Sequence, residues 1–477
     1  MPMHPIPKPS IILGGGFSGL LTALYLQRQK YPVPVILIDS QDRFVFKPLL
    51  YELLTDEIHA EQICIPYAKL LRKNTTFIQD SVQAIDLANQ TIKLNSGKQY
   101  DYRNLVIALG GESNYFQTPG AEQHTFSFTS DEDAIALKHH LMDCLKQARQ
   151  TQDPVAKQRL LTVAIIGAGP AGVELACTLA DILPTWYDKL GGDYEDIRVV
   201  LMNRGEEILK GGFSVRLRQI AETALKTRTI AIERRFGIQL QAITDEGVDY
   251  LQESQSQTLA AATVVWTAGT QPNSLLQTMG IPKNQRDRTC RLQVLPTLQL
   301  ADFPEVFVGG DCAAVIDNAQ PATAQVAYQQ GKAIAQNLMH LAQNQSPKPA
   351  QVSLRGTLLK LGLAEGAASL LNRVEFSGDL GRLMRQVAYL QLLPTPSHNL
   401  QQTSEWLVDE VIQRHQVRSL NPRHMGKTPL LTGMVATAAS LILAFPFAWR
   451  AIQPQQFQEQ LTWTGIPTLL DQLGSKR

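Results

Sequence analysis

The sequence predicts an α/β fold with two dinucleotide-binding units of the Rossmann type and a different region after them. The first observation is a repeated pattern, in which an apolar run leads into G-x-G-x-x-G and then into helical periodicity. It occurs at 14–19 (GGGFSG) and at 167–172 (GAGPAG). The second observation is that a further strand-like run follows each copy, at 33–39 and at 197–203. Together these segments predict two βαβ beginnings, each able to open a Rossmann-like domain.

Composition narrows the classes of protein. The 477 residues include 44 Lys and Arg against 43 Asp and Glu, a net charge of +1. Such a balance gives no general attraction to nucleic acid, so we expect no nucleic-acid partner. The five cysteines are scattered without a CxxC or zinc spacing, which predicts neither a metal site nor a sequence-local dithiol pair. The N-terminus lacks an apolar signal sequence, so we expect no leader peptide.

The glycines of the first unit favour a bound pyrophosphate. In such turns the first glycine allows the bend, the second lets phosphate approach, and the third lets helix and strand pack. The helix N-terminus then offers free N–H groups to the phosphates. Asp39 lies 25 residues after Gly14, at the end of the next strand, where a carboxylate binds ribose hydroxyls.

The second unit differs at the corresponding position. Asn203 and Arg204 stand where the acid is expected, and the next acid is Glu206. A carboxylate repels a ribose 2′-phosphate and an arginine attracts it, so this site is predicted to accept NADPH. The alternative is that Arg204 is a solvated surface charge and that NADH is the donor.

The remaining elements are read in chain order. We expect strands at 91–94, 105–109, 262–268 and 306–310, a helix over 131–152, a linker at 153–160, and a helix opened by Pro321. A polar stretch with prolines at 343–351 marks a boundary. The predicted domains are 1–115 (first part of the first unit), 116–292 (second unit), 293–345 (return to the first unit), 346–427 (amphipathic region) and 428–477 (apolar tail).

The motifs together resemble a known family. GGGFSG, Ala108–Gly110, GAGPAGVE, Trp266–Gly269 and Val308–Asp311 occur in the order found in the two-dinucleotide-binding-domain flavoproteins. Residues 321–330 look like the AQxAxQ segment of the type II NAD(P)H:quinone oxidoreductases. Residues 43–54 and 387–395 look like the cyanobacterial and plastid branch, which reduces demethylphylloquinone.

The resemblance implies FAD in the first unit and NADPH or NADH in the second. For cofactor binding it implies Gly14, Gly15, Gly16, Phe17, Ser18, Gly19, Asp39, Ser40, Lys47, Val82, Ala108, Gly110, Asp311, Ala322, Gln325, Gly167, Gly169, Gly172, Glu174, Asn203, Arg204, Ala268 and Gly269. For catalysis it implies Lys47 beside the flavin, Glu174 near the nicotinamide and as proton relay, and Gln325 and Gln329 in the quinone pocket.

A purely structural role remains the alternative for each of the four catalytic candidates. Lys47 could be an ordinary surface lysine, and Glu174 could simply suit the first turn of its helix. Gln325 and Gln329 are four residues apart, so they could form a solvated stripe on one helix face.

The function implied by the resemblance is hydride transfer from NAD(P)H through FAD to a prenylated quinone. The branch points to demethylphylloquinone or a related naphthoquinone in vitamin K1 biosynthesis, and the near alternative is a respiratory NADH:plastoquinone enzyme. Sulfide:quinone oxidoreductase is disfavoured because the GAGPAG turn is intact. A flavin-bearing redox sensor that binds a protein partner is the alternative from another class.

A lipid-borne quinone implies contact with a membrane. Residues 380–392 place Leu380, Leu383, Met384 and Val387 on one helical face and Arg382 and Arg385 on another, which is typical of an interfacial helix. Residues 405–415 repeat this weakly. Residues 429–449 carry no charge and are long enough to span a bilayer. We expect attachment to the cytoplasmic face of a plasma or thylakoid membrane; packing on the protein's own core and a homodimer contact are the alternatives.

Overall fold

The computed structural model describes residues 8–72, 74–354, 356–370 and 374–394. Within these ranges eleven helices occur: α1 (Phe17–Arg28), α2 (Leu50–Leu54), α3 (Ala60–Ile63), α4 (Tyr67–Leu70), α5 (Ala121–His124), α6 (Asp131–Gln150), α7 (Pro154–Leu160), α8 (Pro170–Lys189), α9 (Val215–Thr227), α10 (Ala324–Ala342) and α11 (Gly378–Leu392).

The strands form several sheets. Those in the described ranges are β1 (Ser10–Leu13), β2 (Val35–Asp39), β3 (Arg43–Val45), β4 (Cys64–Pro66), β5 (Thr75–Gln79), β6 (Val82–Asp86), β7 (Thr91–Leu94), β8 (Gln99–Asp101), β9 (Asn104–Ile107), β10 (Gly111–Ser113), β11 (Thr162–Ile166), β12 (Arg198–Asn203), β13 (Glu233–Phe236), β14 (Gln239–Thr244), β15 (Gly247–Gln252), β16 (Gln255–Ala260), β17 (Thr263–Trp266), β18 (Thr270–Pro272), β19 (Leu292–Val294), β20 (Val306–Val308), β21 (Ala313–Val315), β22 (Gly356–Lys360), β23 (Gly366–Leu370) and β24 (Val374–Ser377).

The first sheet is parallel, in the order β20-β9-β1-β2-β5. All four residues of β1 are buried, as expected for a central strand covered on both faces. Helices α1 and α10 pack closely against each other. A Cβ on Gly331 of α10 would lie only 2.4 Å from the Ser18 carbonyl oxygen of α1. The hydroxyl of Thr22 donates to the Gly331 carbonyl at 3.1 Å. The return strand β20 therefore brings the chain after residue 293 back to the first nucleotide-binding turn.

The second sheet is also parallel, in the order β13-β12-β11-β17. Its central strand β11 is fully buried and leads through the second glycine turn into α8. The small antiparallel sheet β14-β15-β16 packs its apolar side chains against those of the second sheet, and together they form one hydrophobic core. The α/β fold class with two dinucleotide-binding domains is thus confirmed.

A third part of the chain packs against both units. Strands β22, β23 and β24 form an antiparallel sheet, and α11 follows directly. The side chain of Arg228 joins this sheet to the second unit, since it contacts Asp181 of α8 at 3.3 Å and Glu365 at 2.6 Å. The predicted amphipathic region 346–427 is described as far as residue 394.

Several predicted elements need correction. Residues 153–160 are not a linker, because α7 begins at Pro154 and the Asp153 side chain accepts from the Val155 N–H. The helix after Pro321 begins three residues later, at Ala324, where the Thr323 hydroxyl caps it. The strands expected at 91–94, 105–109, 262–268 and 306–310 are present with slightly shifted ends.

Most of the segments that are predicted to contact a membrane lie outside the residues that the structure describes. Residues 405–415 and 429–449 lie outside the described residues. Among the helices of the described ranges, none is both long and apolar enough to cross a membrane. Helix α11 does form where an amphipathic helix is predicted. Arg385, which the sequence places on the face of this helix away from its leucines, is only 2% exposed.

Candidate active site

The two glycine turns have the same geometry. Gly14 and Gly167 have φ of +92° and +110°, and a Cβ on either would collide with backbone at the end of a neighbouring strand, at Ala108 or Ala268. Gly19 and Gly172 each lie so close to the first glycine's carbonyl oxygen that a Cβ would approach it to 1.8 Å.

The middle glycines behave differently from the other two. A Cβ on Gly16 or Gly169 meets no atom within 4 Å. Each middle glycine also stands directly before the first residue of a helix, α1 or α8. The chain thus leaves open space where the second glycine of such a turn admits a pyrophosphate.

Asp39 closes the first turn from the adjacent strand. Its carboxylate accepts from the backbone N–H of Gly15 at 2.5 Å and of Gln41 at 2.8 Å. Burial raises the pKa of Asp39, while these N–H donors and the Lys47 charge oppose the rise. Tyr67 stands against Gly15, whose Cβ would lie 2.0 Å from the tyrosine hydroxyl. A second carboxylate, Asp311, also has a pKa raised by burial and opposed by Lys47.

The first cradle fits FAD by its own chemistry. The Ser18 hydroxyl is buried and has no hydrogen-bond partner among the described residues, and it faces Gly309, where a Cβ would approach it to 2.3 Å. An unsatisfied buried hydroxyl within the glycine turn is what a phosphate oxygen would complete. Gly14, Gly16 and Gly19 would hold the pyrophosphate, and Asp39 would hold the ribose.

The second turn opens onto a cavity of about 400 Å³. It is lined by Ala168, Gly169, Asn203, Arg204, Gly205, Glu207 and Lys210. Arg204 and Lys210 are both exposed cations on its rim. Glu207 is paired with Arg218 at 2.8 Å, which offsets its negative charge. The cavity at the second turn therefore presents two cations, Arg204 and Lys210.

Asn203, which is predicted to bind the dinucleotide, hydrogen-bonds to the protein's own backbone. Its side-chain oxygen accepts from the Ala168 N–H at 3.3 Å, and its amide nitrogen donates to the Gly205 carbonyl at 2.9 Å. Asn203 thus ties the loop after β12 to the glycine turn. The cationic side chains of the loop remain directed to the cavity that Asn203 helps to shape.

Glu174 lies in the early turns of α8 and is only 8% exposed. One carboxylate oxygen accepts from the backbone N–H of Lys360 at 2.7 Å. Burial raises the pKa of Glu174 to about 7, opposed by the charge of Arg385 and by the Lys360 N–H. A carboxyl that titrates near neutrality can give and regain a proton during turnover.

The sequence interpretation did not predict that four further charged residues lie together near Glu174. Glu52, Glu57, Lys360 and Arg385 come together from α2, the loop after it, β22 and α11. Glu52 and Lys360 each interrupt an apolar run, in PLLYELL and GTLLKLG. A lone charge inside such a run indicates a buried pair, which is the signal that could have found them.

The two glutamines of α10 hold the segment that precedes the third sheet. The Gln325 amide donates to the Gly356 carbonyl at 3.0 Å. The Gln329 amide donates to the Ser353 carbonyl at 2.9 Å and accepts from the Ser353 N–H at 3.0 Å. Both side chains therefore face Ser353 or Gly356, so a quinone beside them would also lie beside these two residues.

The other predicted residues are spread around the two cradles. Phe17 packs edge-on against Phe44 and Phe46, with ring centroids 5.2 and 5.4 Å away. Ser40 and Ala322 are exposed, and Val82 is half-buried at the start of β6. Ala108 and Ala268 are buried beside the first glycines of the two turns, Gly110 directly precedes β10, and Gly269 lies against the Phe116 ring.

Comparisons with known proteins identify the family of this chain and several similar proteins. Residues 8–331 match the pyridine nucleotide-disulphide oxidoreductase family. A demethylphylloquinone reductase from Synechocystis sp. is 32% identical over 84% of this chain and 96% of its own length. An alternative NAD(P)H-ubiquinone oxidoreductase from Arabidopsis thaliana is 29% identical over 84% of this chain and 80% of its own.

Solved structures share the fold. NDH2 from Plasmodium falciparum in complex with NADH covers 85% of this chain and 98% of its own, with a TM-score of 0.76 and 18% identity. The sulfide:quinone oxidoreductase of Aquifex aeolicus covers 80% and 90%, with a TM-score of 0.66 and 19% identity. At these identities the likeness concerns the fold alone.

Proposed function

Because the chain belongs to the pyridine nucleotide-disulphide oxidoreductase family, and within it to the FAD-dependent type II NAD(P)H:quinone oxidoreductases, we propose that its acceptor is a prenylated naphthoquinone without its ring methyl group. The demethylphylloquinone of vitamin K1 biosynthesis is the natural compound of this kind. The proposal is supported by the 32% identity to a demethylphylloquinone reductase along almost the whole length of that protein.

The observation that carries the chemistry is the pair of open glycine turns. When bound, FAD supplies a two-electron carrier between the nicotinamide and the quinone. The chain's own part is to bind two dinucleotides through Gly16 and Gly169 and to fix their riboses. It also excludes water from the place where the two dinucleotides meet. The positive charge of Lys47 acts on both Asp39 and Asp311, where it opposes the rise of their pKa values.

Glu174 is the group we assign to the proton. Reduction of a quinone to a quinol requires two electrons and two protons, of which a hydride carries both electrons and one proton. The second proton leaves the Glu174 carboxyl for a quinone oxygen, and solvent then returns it. The pKa of about 7 makes both steps accessible near neutral pH.

The donor is NADPH in preference to NADH. Arg204 and Lys210 line the cavity at the second turn, and the carboxylate usual at the strand end is replaced by Asn203. A 2′-phosphate gains charge pairing there and meets no strand-end carboxylate.

We place the enzyme at the cytoplasmic face of a membrane, where prenylated quinones reside. The uncharged stretch 429–449 is the segment proposed to attach it. Leu354 and Leu380, exposed to 46% and 43%, lie in the same C-terminal region and suit an apolar surface.

The test compares two acceptors with the same prenyl chain, a naphthoquinone without the ring methyl group and a benzoquinone of the plastoquinone type. We expect a clearly higher kcat/KM for the naphthoquinone, with NADPH as donor. A preference for the benzoquinone would assign the protein to respiration instead. Loss of vitamin K1 with accumulation of its demethyl precursor in a deletion strain is the matching expectation in cells.

A further inference from the structure

A cluster of buried charges lies where three parts of the chain meet. Arg385 is 2% exposed, Lys360 is 3% exposed, and Glu52 and Glu174 are each 8% exposed. They come from α11, β22, α2 and α8 respectively. Buried charges are costly unless paired, so the contacts among these four residues decide what the cluster does.

Arg385 and Glu52 form the centre of the cluster. The Arg385 guanidinium donates to both Glu52 carboxylate oxygens, with Nη2 3.4 Å from Oε2, and to the Pro48 carbonyl at 2.9 Å. The Lys360 ammonium lies 3.2 Å from a Glu52 oxygen and also contacts Glu57. Two cations are thus matched by two carboxylates before Glu174 is considered.

Glu174 is the fifth charged group at this junction. It accepts the Lys360 N–H at 2.7 Å, and the hydroxyl of Tyr51 of α2, which donates to the Ala171 carbonyl at 3.5 Å, lies near enough to favour its ionised form. The titratable and charged groups that face it are Tyr51 and Glu52 on α2, Cys177 on its own helix, Lys360 on β22, and Arg385 and Tyr389 on α11.

The charge count explains why Glu174 holds a proton readily. With Glu52 and Glu57 ionised against Lys360 and Arg385, the cluster is neutral. An ionised Glu174 would add an unmatched negative charge in a buried place. Burial and the Glu52 charge raise its pKa, and Arg385 and the Lys360 N–H lower it.

We propose that Arg385 and Glu52 are positioning residues that control, with opposite signs, whether the Glu174 carboxyl keeps its proton, so that the C-terminal segment completes the proton-donating site. This inference rests on the proposed function in giving Glu174 the proton of quinone reduction. The O–H bond of the Glu174 carboxyl breaks, an O–H bond of the quinol forms, and a solvent proton restores the carboxyl. The net reaction consumes NAD(P)H, one proton and quinone, and it yields NAD(P)⁺ and quinol.

The decisive measurement is the titration of the Glu174 carboxyl in the full-length, FAD-loaded protein. Infrared difference spectra against Glu174→Gln isolate its protonated C=O band. Arg385→Met should move the midpoint to higher pH, by about one to three units. Glu52→Gln, which keeps the side-chain shape, should move it to lower pH. Arg385→Lys restores a positive charge and should return the midpoint toward that of the parent.

Arg228→Met is the matched control. The Arg228 side chain is 5% exposed, and it holds the same C-terminal sheet to α8 through Glu365 and Asp181. It should lower stability without moving the Glu174 midpoint. Opposite shifts in the Arg385 and Glu52 variants support the inference. Unmoved midpoints, shifts in one direction, or an equal shift in Arg228→Met would overturn it.

Two further measurements keep the inference separate from the proposed function. Should Arg385→Met fail to fold, Glu52→Gln and Arg385→Lys decide the matter alone, through a lowered and a near-parental midpoint. The pH profile of quinone reduction is measured on the same samples. Midpoints that move in opposite directions while the rate profiles stay fixed leave the inference standing and remove Glu174 from the proton's path.

Discussion

The backbone N–H of Lys360 donates a 2.7 Å hydrogen bond to the carboxylate of Glu174. Lys360 belongs to the sheet that follows both dinucleotide-binding units, whereas Glu174 lies in the early turns of the helix that opens the second unit. The contact fixes one oxygen of the carboxylate, and we expect the second oxygen to exchange the proton. The proton transfer proposed for Glu174 would therefore depend on residues from both the second unit and the C-terminal segment.

The first prediction concerns the pH dependence of the Glu174 step. The pKa of Glu174 is raised to about 7, so the carboxyl is protonated below that pH and loses its proton above it. Because the protonated form is the donor, kcat for quinone should fall as the pH rises through about 7. Glu174→Gln should flatten this profile and lower kcat by about a hundredfold or more.

Ferricyanide provides the control for that prediction, because it accepts electrons without a proton. Its reduction by NADPH should stay close to the parent rate in Glu174→Gln. An equal loss with ferricyanide and quinone would instead place Glu174 in the binding of the dinucleotides.

The second prediction uses the equivalence of Gly16 and Gly169. Their φ angles of −67° and −72° suit any residue, and a Cβ at either place meets no protein atom. Valine should therefore leave the fold intact and block only the pyrophosphate. Gly16→Val should yield colourless protein, and Gly169→Val should yield yellow protein that is not reduced by NADPH. Absorbance of the bound flavin and anaerobic reduction measure both, and each variant controls for the other.

The glycine turns also show what a sequence can reveal. Their geometry is local, since strand, turn and helix follow each other directly, and the residue pattern states it. The charge cluster could not be predicted in this way. Glu174 and Lys360 are 186 residues apart in sequence, so their hydrogen bond depends on how the third sheet docks.

The case of α11 illustrates a second limit. Periodicity correctly predicts a helix and two faces over 380–392, but it does not say which face turns inward. An arginine is normally directed to solvent. Here Arg385 is buried because Glu52 offers a carboxylate on α2, while Leu380 remains 43% exposed. The pairing with Glu52 therefore turns the Arg385 side chain toward the protein, although an arginine is expected to face solvent.

The third prediction concerns the choice between NADPH and NADH. Arg204→Ser and Lys210→Ser should each lower kcat/KM for NADPH about fivefold and leave NADH nearly unchanged, since a partly exposed charge contributes about 1 kcal/mol. Binding of 2′,5′-ADP, measured by calorimetry, should weaken in parallel. Lys146→Ser on the exposed face of α6 is the control, because its partner is Asp143 and it does not line the cavity. Equal losses for both nucleotides would assign the two cations a general binding role.

The last prediction concerns the apolar tail, whose removal at residue 427 deletes 428–477. Every residue assigned to the two cradles precedes residue 428, so we expect the shortened protein to keep its FAD. It should also keep its activity with a short-chain, water-soluble quinone. Activity with a long-prenyl quinone in liposomes should fall, because the uncharged stretch 429–449 is the segment proposed to reach the lipid. Flotation with vesicles, run on the same preparation, should show most of the protein left at the bottom of the gradient. Full flotation of the shortened protein would move the attachment site to residues before 428, and loss of FAD on truncation would make the tail part of the core.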